Sequence, residues 1–232
     1  MQLNDCKESE DHISTDINED MPKLLDVVCF GILFPLRVAT IEEYPKEDSG
    51  ADILSLNNFI GADAPITSLI LEGLGCRVGL ISNDVGNDPG GQEVLDRLNR
   101  TDIVTAVSMH GDVSTPFCLT VVDRDSNRTW FTFNSDSIER LLIADLSLVH
   151  HTGLLYVDAY HQMWQASTRV IDYAFNNGVS IFVNLNEHVP NKEVDRRLQR
   201  GVSVIQRGAV GQSIEQGRGM AQTFFDRYYT SL

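Results

Sequence analysis

The segment NDVGNDPGG, residues 83–91, decides how this chain is organised. The apolar run Val78–Ile81 comes just before it, and a helical pattern over residues 92–98 comes just after it. A second helical pattern, residues 65–75, precedes the apolar run and ends in a Leu-Gly pair. Helix, strand, glycine-rich turn and helix therefore follow one another with short connections, which is typical of an α/β layer.

The rest of the chain continues this alternation of strands and helices. Apolar runs predict strands at residues 24–31, 77–81, 104–107, 146–150, 179–185 and 202–205, and helical spacing predicts helices at 65–75, 92–99, 138–142, 162–176, 195–200 and 214–229. Two short strands, 38–41 and 53–56, and a hairpin, 115–123 with 128–133, do not fit the alternation. This order predicts a parallel, three-layer α/β/α core with a small β-sheet appendage.

The composition limits the classes of function. The sequence has 232 residues, of which 42% are hydrophobic, enough to form one core of domain size. Its 33 acidic and 18 basic side chains give a formal net charge of −15, which repels a phosphate backbone, so no nucleic-acid partner is expected. No apolar run approaches the roughly 20 residues that span a bilayer, and the acidic N-terminus carries no apolar leader. These features predict a cytoplasmic protein without a membrane partner.

The first 22 residues differ from the rest of the chain. They carry seven acidic side chains against one lysine and few large apolar groups. Such a segment cannot bury enough apolar surface to offset the entropy of ordering it. Residues 1–22 are therefore predicted to be a disordered acidic tail, with a docking tail as the alternative, and residues 23–232 to be the folded domain.

No metal site is predicted. The four cysteines are scattered and form no C-x-x-C pair, so neither a zinc site nor a redox motif is indicated. His150 and His151 are neighbours on a predicted strand, and such neighbours point to opposite faces, so both cannot easily bind one ion. Asp84 and Asp88 could bind a metal together, but one aspartate that stabilises the turn and one that is solvated are more typical of such a segment.

Residues 85–91, VGNDPGG, and the helical pattern after them resemble the V-G-x-D-x-x-G turn of the PfkB-type carbohydrate kinases, the ribokinase-like family. Other matching features follow in the same order over residues 26–232: a first strand ending in Gly31, GADA at 61–64, LG at 74–75, the hairpin, a Gly153 step after a strand, and NLN at 184–186. The resemblance implies a Rossmann-like core and a β-sheet lid from about residues 37–57 and 115–133. It also implies transfer of the ATP γ-phosphoryl group, with Mg, to a sugar or related alcohol.

The sequence departs from the family pattern at residues that would carry the chemistry. The family's late G-A-G-D motif, which holds the catalytic base and the anion hole, does not occur, and QRGA at 206–209 stands where the metal-associated N-x-x-E motif would fall. Leu36 replaces the early Asp that grips sugar hydroxyls, and Ile66 replaces a frequent Asn. No catalytic or cofactor-binding residue is therefore assigned, and ATP and Mg binding by this chain is not expected.

Two explanations of these departures remain open. The chain is either a C-terminally incomplete kinase, inactive alone, or a degenerate member of the family. The alternative function is a non-catalytic sugar-binding or oligomerisation module.

The resemblance places a sugar or polyol beside two segments. Gly61 and Ala62 occupy the positions of the family's Gly-Gly pair, and Asp63 follows in a position that can contact a polyol. Capping of the following helix is the alternative role of Asp63. Asn184 and Asn186 follow a strand, where α/β sheets bind ligands, and loop hydrogen bonds are their alternative role.

The predicted lid hairpin carries three aromatic side chains, Trp130, Phe131 and Phe133. Contact with a ligand or with a second subunit is as consistent with aromatics on a lid as plain packing is. A homodimer formed through the lid is therefore among the expected assemblies, beside the small-molecule sugar or polyol as a partner.

Overall fold

The computed structural model describes residues 24–185 and 204–206. Its strands are β1 (Val27–Phe30), β2 (Phe34–Ile41), β3 (Ile53–Gly61), β4 (Val78–Ile81), β5 (Val85–Gly86), β6 (Val104–Thr105), β7 (Met109–His110), β8 (Phe117–Val122), β9 (Arg128–Phe133), β10 (Leu154–Asp158), β11 (Ser180–Asn184) and β12 (Val204–Gln206). Its α-helices are α1 (Asp63–Gly73), α2 (Pro89–Leu98), α3 (Ser137–Leu142) and α4 (Trp164–Asn176). Two 3₁₀ helices span Ser147–His151 and His161–Met163. None of the described helices is long and apolar enough to cross a membrane.

Six parallel strands form the central sheet, in the order β12-β11-β10-β1-β4-β6. Helices α1 and α2 cover one face, where Leu71 and Leu98 join the core. Helices α3 and α4 cover the other face, where Leu141 and Val170 join a second core cluster. Because both faces are covered, β1 is buried and apolar throughout. The predicted parallel, three-layer core is confirmed.

A separate four-stranded sheet, in the order β3-β2-β8-β9, forms the predicted appendage, and we call it the lid. Strand β2 pairs antiparallel with β3 and parallel with β8, and β8 with β9 is the predicted hairpin. The first two lid strands are longer than predicted, because their pairing begins at Phe34 opposite Gly61. The lid therefore reaches back to the start of α1.

The strand predicted at residues 146–150 is wrong, because these residues form the 3₁₀ helix Ser147–His151. The Asp145 carboxylate starts this helix by accepting hydrogen bonds from the backbone N–H (2.9 Å) and the hydroxyl (2.8 Å) of Ser147. Leu146 and Val149 are three residues apart, which places both on one side of a 3₁₀ helix, and both are buried. A short apolar run is compatible with a strand and with a helix, so the apolar residues alone do not distinguish the two.

The true strand of this region is β10, Leu154–Asp158, which lies beside β1 in the central sheet. All five of its residues are buried. His150 and His151 consequently lie on the 3₁₀ helix and not on a strand, and the His150 ring forms a hydrogen bond with the Tyr173 hydroxyl (2.5 Å).

The turn between β4 and α2 is held by its two aspartates. The Asp88 carboxylate caps α2 and accepts hydrogen bonds from the backbone N–H groups of Gly91 and Thr115, both at 2.9 Å. Burial raises the pKa of Asp88 and these donors lower it, and the net pKa is lowered. Asp84 accepts a hydrogen bond from the Ser108 backbone N–H at 3.0 Å. The prediction of one turn-stabilising aspartate is confirmed, and the second aspartate also accepts a backbone hydrogen bond.

The described residues do not include the predicted acidic tail 1–22, the predicted helices 195–200 and 214–229, or the candidate ligand residue Asn186. The predicted strand 202–205 overlaps β12. The domain bounds 23–232 stay a prediction.

Candidate functional site

Polar side chains gather at the carboxyl edge of the central sheet. Asp158 is the last residue of β10 and Asn184 the last residue of β11, and the two are partners in the strand pairing. Asp63, the first residue of α1, and Tyr160, two residues after β10, lie at the same edge. Parallel strands bring their carboxyl ends together, and α/β sheets bind ligands at this edge.

Hydrogen bonds join these four side chains into one group, which we call the acidic network. Asn184 Nδ2 donates to Asp63 Oδ2 at 3.1 Å and to Asp158 Oδ1 at 3.0 Å. The Tyr160 hydroxyl also donates to Asp63 Oδ2. Within the described part of the chain, Asp63 Oδ1 accepts no hydrogen bond. Asp63 is thus held in one orientation with one carboxylate oxygen still available.

Asp158 fixes the start of α1 from a neighbouring strand. Its Oδ2 accepts a hydrogen bond from the Ala64 backbone N–H at 2.7 Å. Asp63 makes no side-chain capping hydrogen bond to the described residues, so the alternative role predicted for it is not observed. Gly31 allows this close approach, because a Cβ there would lie 2.5 Å from Asp158 Oδ2 and 2.6 Å from Ala64 Cβ.

Burial determines which acid of the network keeps a proton. Asp158 is fully buried, and burial together with the nearby charge of Asp63 raises its pKa well above the ordinary value of 3.8. Burial also raises the pKa of Asp63, but hydrogen bonds from Tyr160 and Asn184 and the charge of Arg128 oppose that rise. When the pair holds a single proton, the proton is therefore on Asp158 and the negative charge on Asp63.

The backbone before α1 is strained beside the network. Ala62 has φ of 72° and ψ of 160°, a region that is essentially restricted to glycine. Gly61 has no room for a side chain, because a Cβ would lie 2.9 Å from Leu36 Cβ and would clash with the Phe34 ring. Strain of this kind is retained mainly at functional sites, which supports a role for Gly61 and Ala62 in ligand binding.

One face of the lid adjoins the acidic network. Strand pairing places Leu36 of β2 beside Phe59 of β3 and Cys118 of β8. Leu36 is half-buried and packs against the same core cluster as Tyr160. The position where the resemblance expects an acid that binds hydroxyls is therefore apolar and packed.

The structure brings Gly61, Ala62, Asp63 and Asn184 together at one edge of the sheet. Asn184 is fully buried and holds Asp63 in place. Direct ligand contacts by these four residues stay predictions.

Sequence reasoning missed three residues of this site, Gly31, Asp158 and Tyr160. The misassigned strand concealed Asp158 and Tyr160, because it placed the end of the strand at His150 instead of Asp158. The buried run LLYV directly before Asp158 was the available signal, because it places an acid at a strand end as Asn184 is placed at the end of β11.

No family model and no curated protein matches the sequence, but solved structures match the fold. A microbiome-derived acarbose kinase, Mak1, has a TM-score of 0.66 at 16% identity, over 86% of this chain and 66% of that one. The chain has a ribokinase-like fold. A ribokinase from Thermotoga maritima has a TM-score of 0.61 at 13% identity, over 87% of this chain and 63% of that one. A nucleoside kinase from Methanocaldococcus jannaschii has a TM-score of 0.62 at 15% identity, over 91% of this chain and 68% of that one.

This ribokinase-like chain thus spans about two thirds of the length of the structures it matches. The predicted fold class, a three-layer core with a small β-sheet lid, is confirmed. The matched proteins are named as kinases of small molecules, and TM-scores of 0.61 to 0.66 at 13 to 16% identity show a shared fold alone.

Proposed function

We propose that this chain binds the acceptor sugar or polyol of a ribokinase-like phosphotransferase, with Asp63 as the main acceptor of its hydroxyl groups. One observation carries the proposal: Asp63 is half-buried and oriented by Tyr160 and Asn184, yet its Oδ1 has no donor among the described residues. A carboxylate removed from water needs hydrogen-bond donors, and polyol hydroxyls supply them. The strained backbone at Ala62 and the position at the sheet edge support the same site.

The described residues do not fit the nucleotide and magnesium that the family uses. The helix start nearest to Asp63 is already engaged, because Asp158 accepts a hydrogen bond from the Ala64 N–H of α1. In residues 24–185 and 204–206, no group of three or more His, Cys, Asp or Glu side chains is placed to hold a metal ion. We therefore assign acceptor binding to these residues and derive no transfer step from them.

Replacing Asp63 with Asn is expected to weaken polyol binding about tenfold or more, because a charged acceptor is lost from the site. Titration calorimetry with a panel of pentoses, hexitols and nucleosides, guided by a thermal-shift screen, measures the effect. Asp96→Asn is the matched control, since Asp96 is an exposed carboxylate on α2 outside the acidic network. Equal affinities for the Asp63→Asn variant and the wild-type chain would contradict the assignment.

Phosphoryl transfer by these 232 residues is expected to stay at background, because the sequence contains no G-A-G-D motif to supply the catalytic base. A coupled assay of ADP release, with ATP, Mg and the polyol that binds best, checks this. Robust turnover would contradict the proposal that these residues bind the acceptor but do not transfer the phosphoryl group.

A lid-mediated homodimer is the second candidate, and the exposed surface of the lid favours it. Eight large hydrophobic side chains of the lid strands are exposed: Ile53, Leu54, Leu56, Phe59, Phe117, Trp130, Phe131 and Phe133. Strand pairing puts Phe117, Phe131 and Phe133 on the lid face opposite to Trp130, and exposed apolar surface of this kind usually marks an interaction site. The chain then acts as a binding or assembly module.

The Phe131→Glu variant is expected to convert such a dimer to monomer, because a charge would be buried in the interface. Size-exclusion chromatography with light scattering measures the mass. Ile143→Glu is the matched control, since Ile143 is 69% exposed but lies outside the lid. A monomeric wild-type chain at all accessible concentrations would rule out the lid-mediated homodimer.

A further inference from the structure

Strand β9 carries a cation and an aromatic ring, Arg128 and Trp130, on the lid face that includes Leu36. Trp130 pairs with Thr120 of β8, which in turn pairs with Val38 of β2. Side chains two residues apart share a face of a strand, so Arg128 lies on the side of Trp130, and Leu36 on the side of Val38. This is the face that adjoins the acidic network.

The guanidinium group of Arg128 is supported by the indole ring but not neutralised. Its Cζ lies 5.7 Å from the centroid of the Trp130 ring, a cation–π arrangement. No carboxylate of the described residues lies within 4.0 Å of it, whereas other arginines of the same region are paired with acids: Arg37, Arg77, Arg97, Arg124 and Arg140. A planar guanidinium with free N–H donors is well suited to bind a planar anion.

Arg128 and Asp63 influence each other without forming an ion pair. The charge of Arg128 favours the ionised form of Asp63 and so opposes the rise of its pKa. The two groups are nevertheless more than 4.0 Å apart, because they form no salt bridge. A ligand between them would meet a hydroxyl acceptor at one end and a cation at the other. Leu36, on the same lid face as Arg128, offers neither a hydroxyl acceptor nor a cation.

We propose that Arg128, supported by Trp130, makes this site selective for a polyol that carries an anionic group. The inference rests on the proposed function, because Asp63 must still accept the hydroxyl groups. An aldonate can bind both Asp63 and Arg128. Its hydroxyl groups donate hydrogen bonds to Asp63 Oδ1, and its carboxylate accepts two parallel N–H hydrogen bonds from Arg128. A sugar phosphate offers the same charge on a larger group.

Calorimetry with three six-carbon ligands tests the inference: D-glucitol is neutral, D-gluconate carries a carboxylate and D-glucose 6-phosphate carries a phosphate. Gluconate or the phosphate is expected to bind about tenfold or more tightly than glucitol. Arg128→Gln is expected to remove this preference, because the cation that would bind the anionic group is lost. Arg100→Gln is the matched control, because Arg100 is exposed, has no carboxylate partner among the described residues and lies outside the lid.

Each outcome decides a different point. A preference for either anion that disappears in Arg128→Gln but not in Arg100→Gln supports the inference. The anion that binds more tightly shows whether the site prefers a carboxylate or a phosphate. Equal binding of glucitol and both anions, or a preference that survives in Arg128→Gln, overturns the inference and leaves the proposed function intact. Binding of none of these ligands, nor of the wider polyol panel, overturns both.

Discussion

The Asp158→Ala variant is expected to lose about 3 kcal/mol of its free energy of unfolding. Removal of the carboxylate leaves the buried Ala64 N–H at the start of α1 without its partner and takes one acceptor from Asn184. An unsatisfied buried polar group costs about 1–3 kcal/mol, and the lost volume adds to that cost. Urea unfolding followed by circular dichroism measures the difference. A loss smaller than about 0.5 kcal/mol, the range of ordinary surface changes, would show that Asp158 does not hold the helix.

The same residue is expected to make stability depend on pH. In the unfolded chain Asp158 has its ordinary pKa of 3.8, and burial raises the pKa well above this value in the folded chain. Between the two values only the unfolded chain releases the proton, so the contribution of Asp158 to the free energy of unfolding falls as the pH rises from about 4 and levels off above the folded pKa. The slope approaches about 1.4 kcal/mol per pH unit for one proton.

The Asp158→Asn variant isolates the contribution of the interacting pair Asp158 and Asp63, because the acids outside this pair titrate equally in both proteins. The amide keeps an oxygen for the Ala64 N–H but cannot release a proton. The difference in unfolding free energy between wild type and Asp158→Asn is therefore expected to shift in favour of the variant from pH 4 to pH 8. A difference that is constant over this range would mean that the folded pKa of Asp158 is not raised.

The Gly31→Ala variant is expected to be destabilised by about 3 kcal/mol and to bind polyols more weakly. The new methyl group would lie 2.5 Å from Asp158 Oδ2 and 2.6 Å from Ala64 Cβ, so the strand and the helix must separate. That movement breaks the contact that positions α1 and Asp63.

Gly73→Ala is the matched control for Gly31→Ala. Gly73 ends α1, and a Cβ there meets no atom within 4 Å, so this variant is expected to gain up to about 1 kcal/mol from reduced chain entropy. Thermal and urea unfolding of both variants measure the contrast. Equal stability of the two would show that Gly31 has room that the structure does not indicate.

Local patterns in the sequence were sufficient to predict the core. Long apolar runs such as β1 and β11, and amphipathic helices such as α4, carry their periodicity within one segment. The strand predicted at residues 146–150 was wrong because a run of five apolar or neutral residues does not distinguish a strand from a helix. The hydrogen bonds from Ser147 to Asp145 favour the 3₁₀ helix there. The extended lid strands were missed for the opposite reason, because their length is set by pairing with a distant strand.

The candidate site depends on contacts between distant segments, so only part of it could be predicted. Asp63 and Asn184 were identified through a family pattern, but the chain separation between them conceals that Asn184 orients Asp63. The role of Asp158 is less visible still, since its partner N–H lies 94 residues away. Arg128 was not singled out, because only strand pairing shows which face of the lid it occupies.

Nuclear magnetic resonance of the ¹⁵N-labelled chain during a polyol titration tests whether a polyol binds at Asp63. We expect shifts of the backbone amides of residues 61–64 and 158–160, together with the side-chain amide of Asn184, whose Nδ2 donates to Asp63. Saturable shifts at these groups, lost in Asp63→Asn and kept in Asp96→Asn, are the expected result. Saturable binding with shifts confined to other surfaces, or no shift with any polyol or sugar acid, would contradict a polyol site at Asp63.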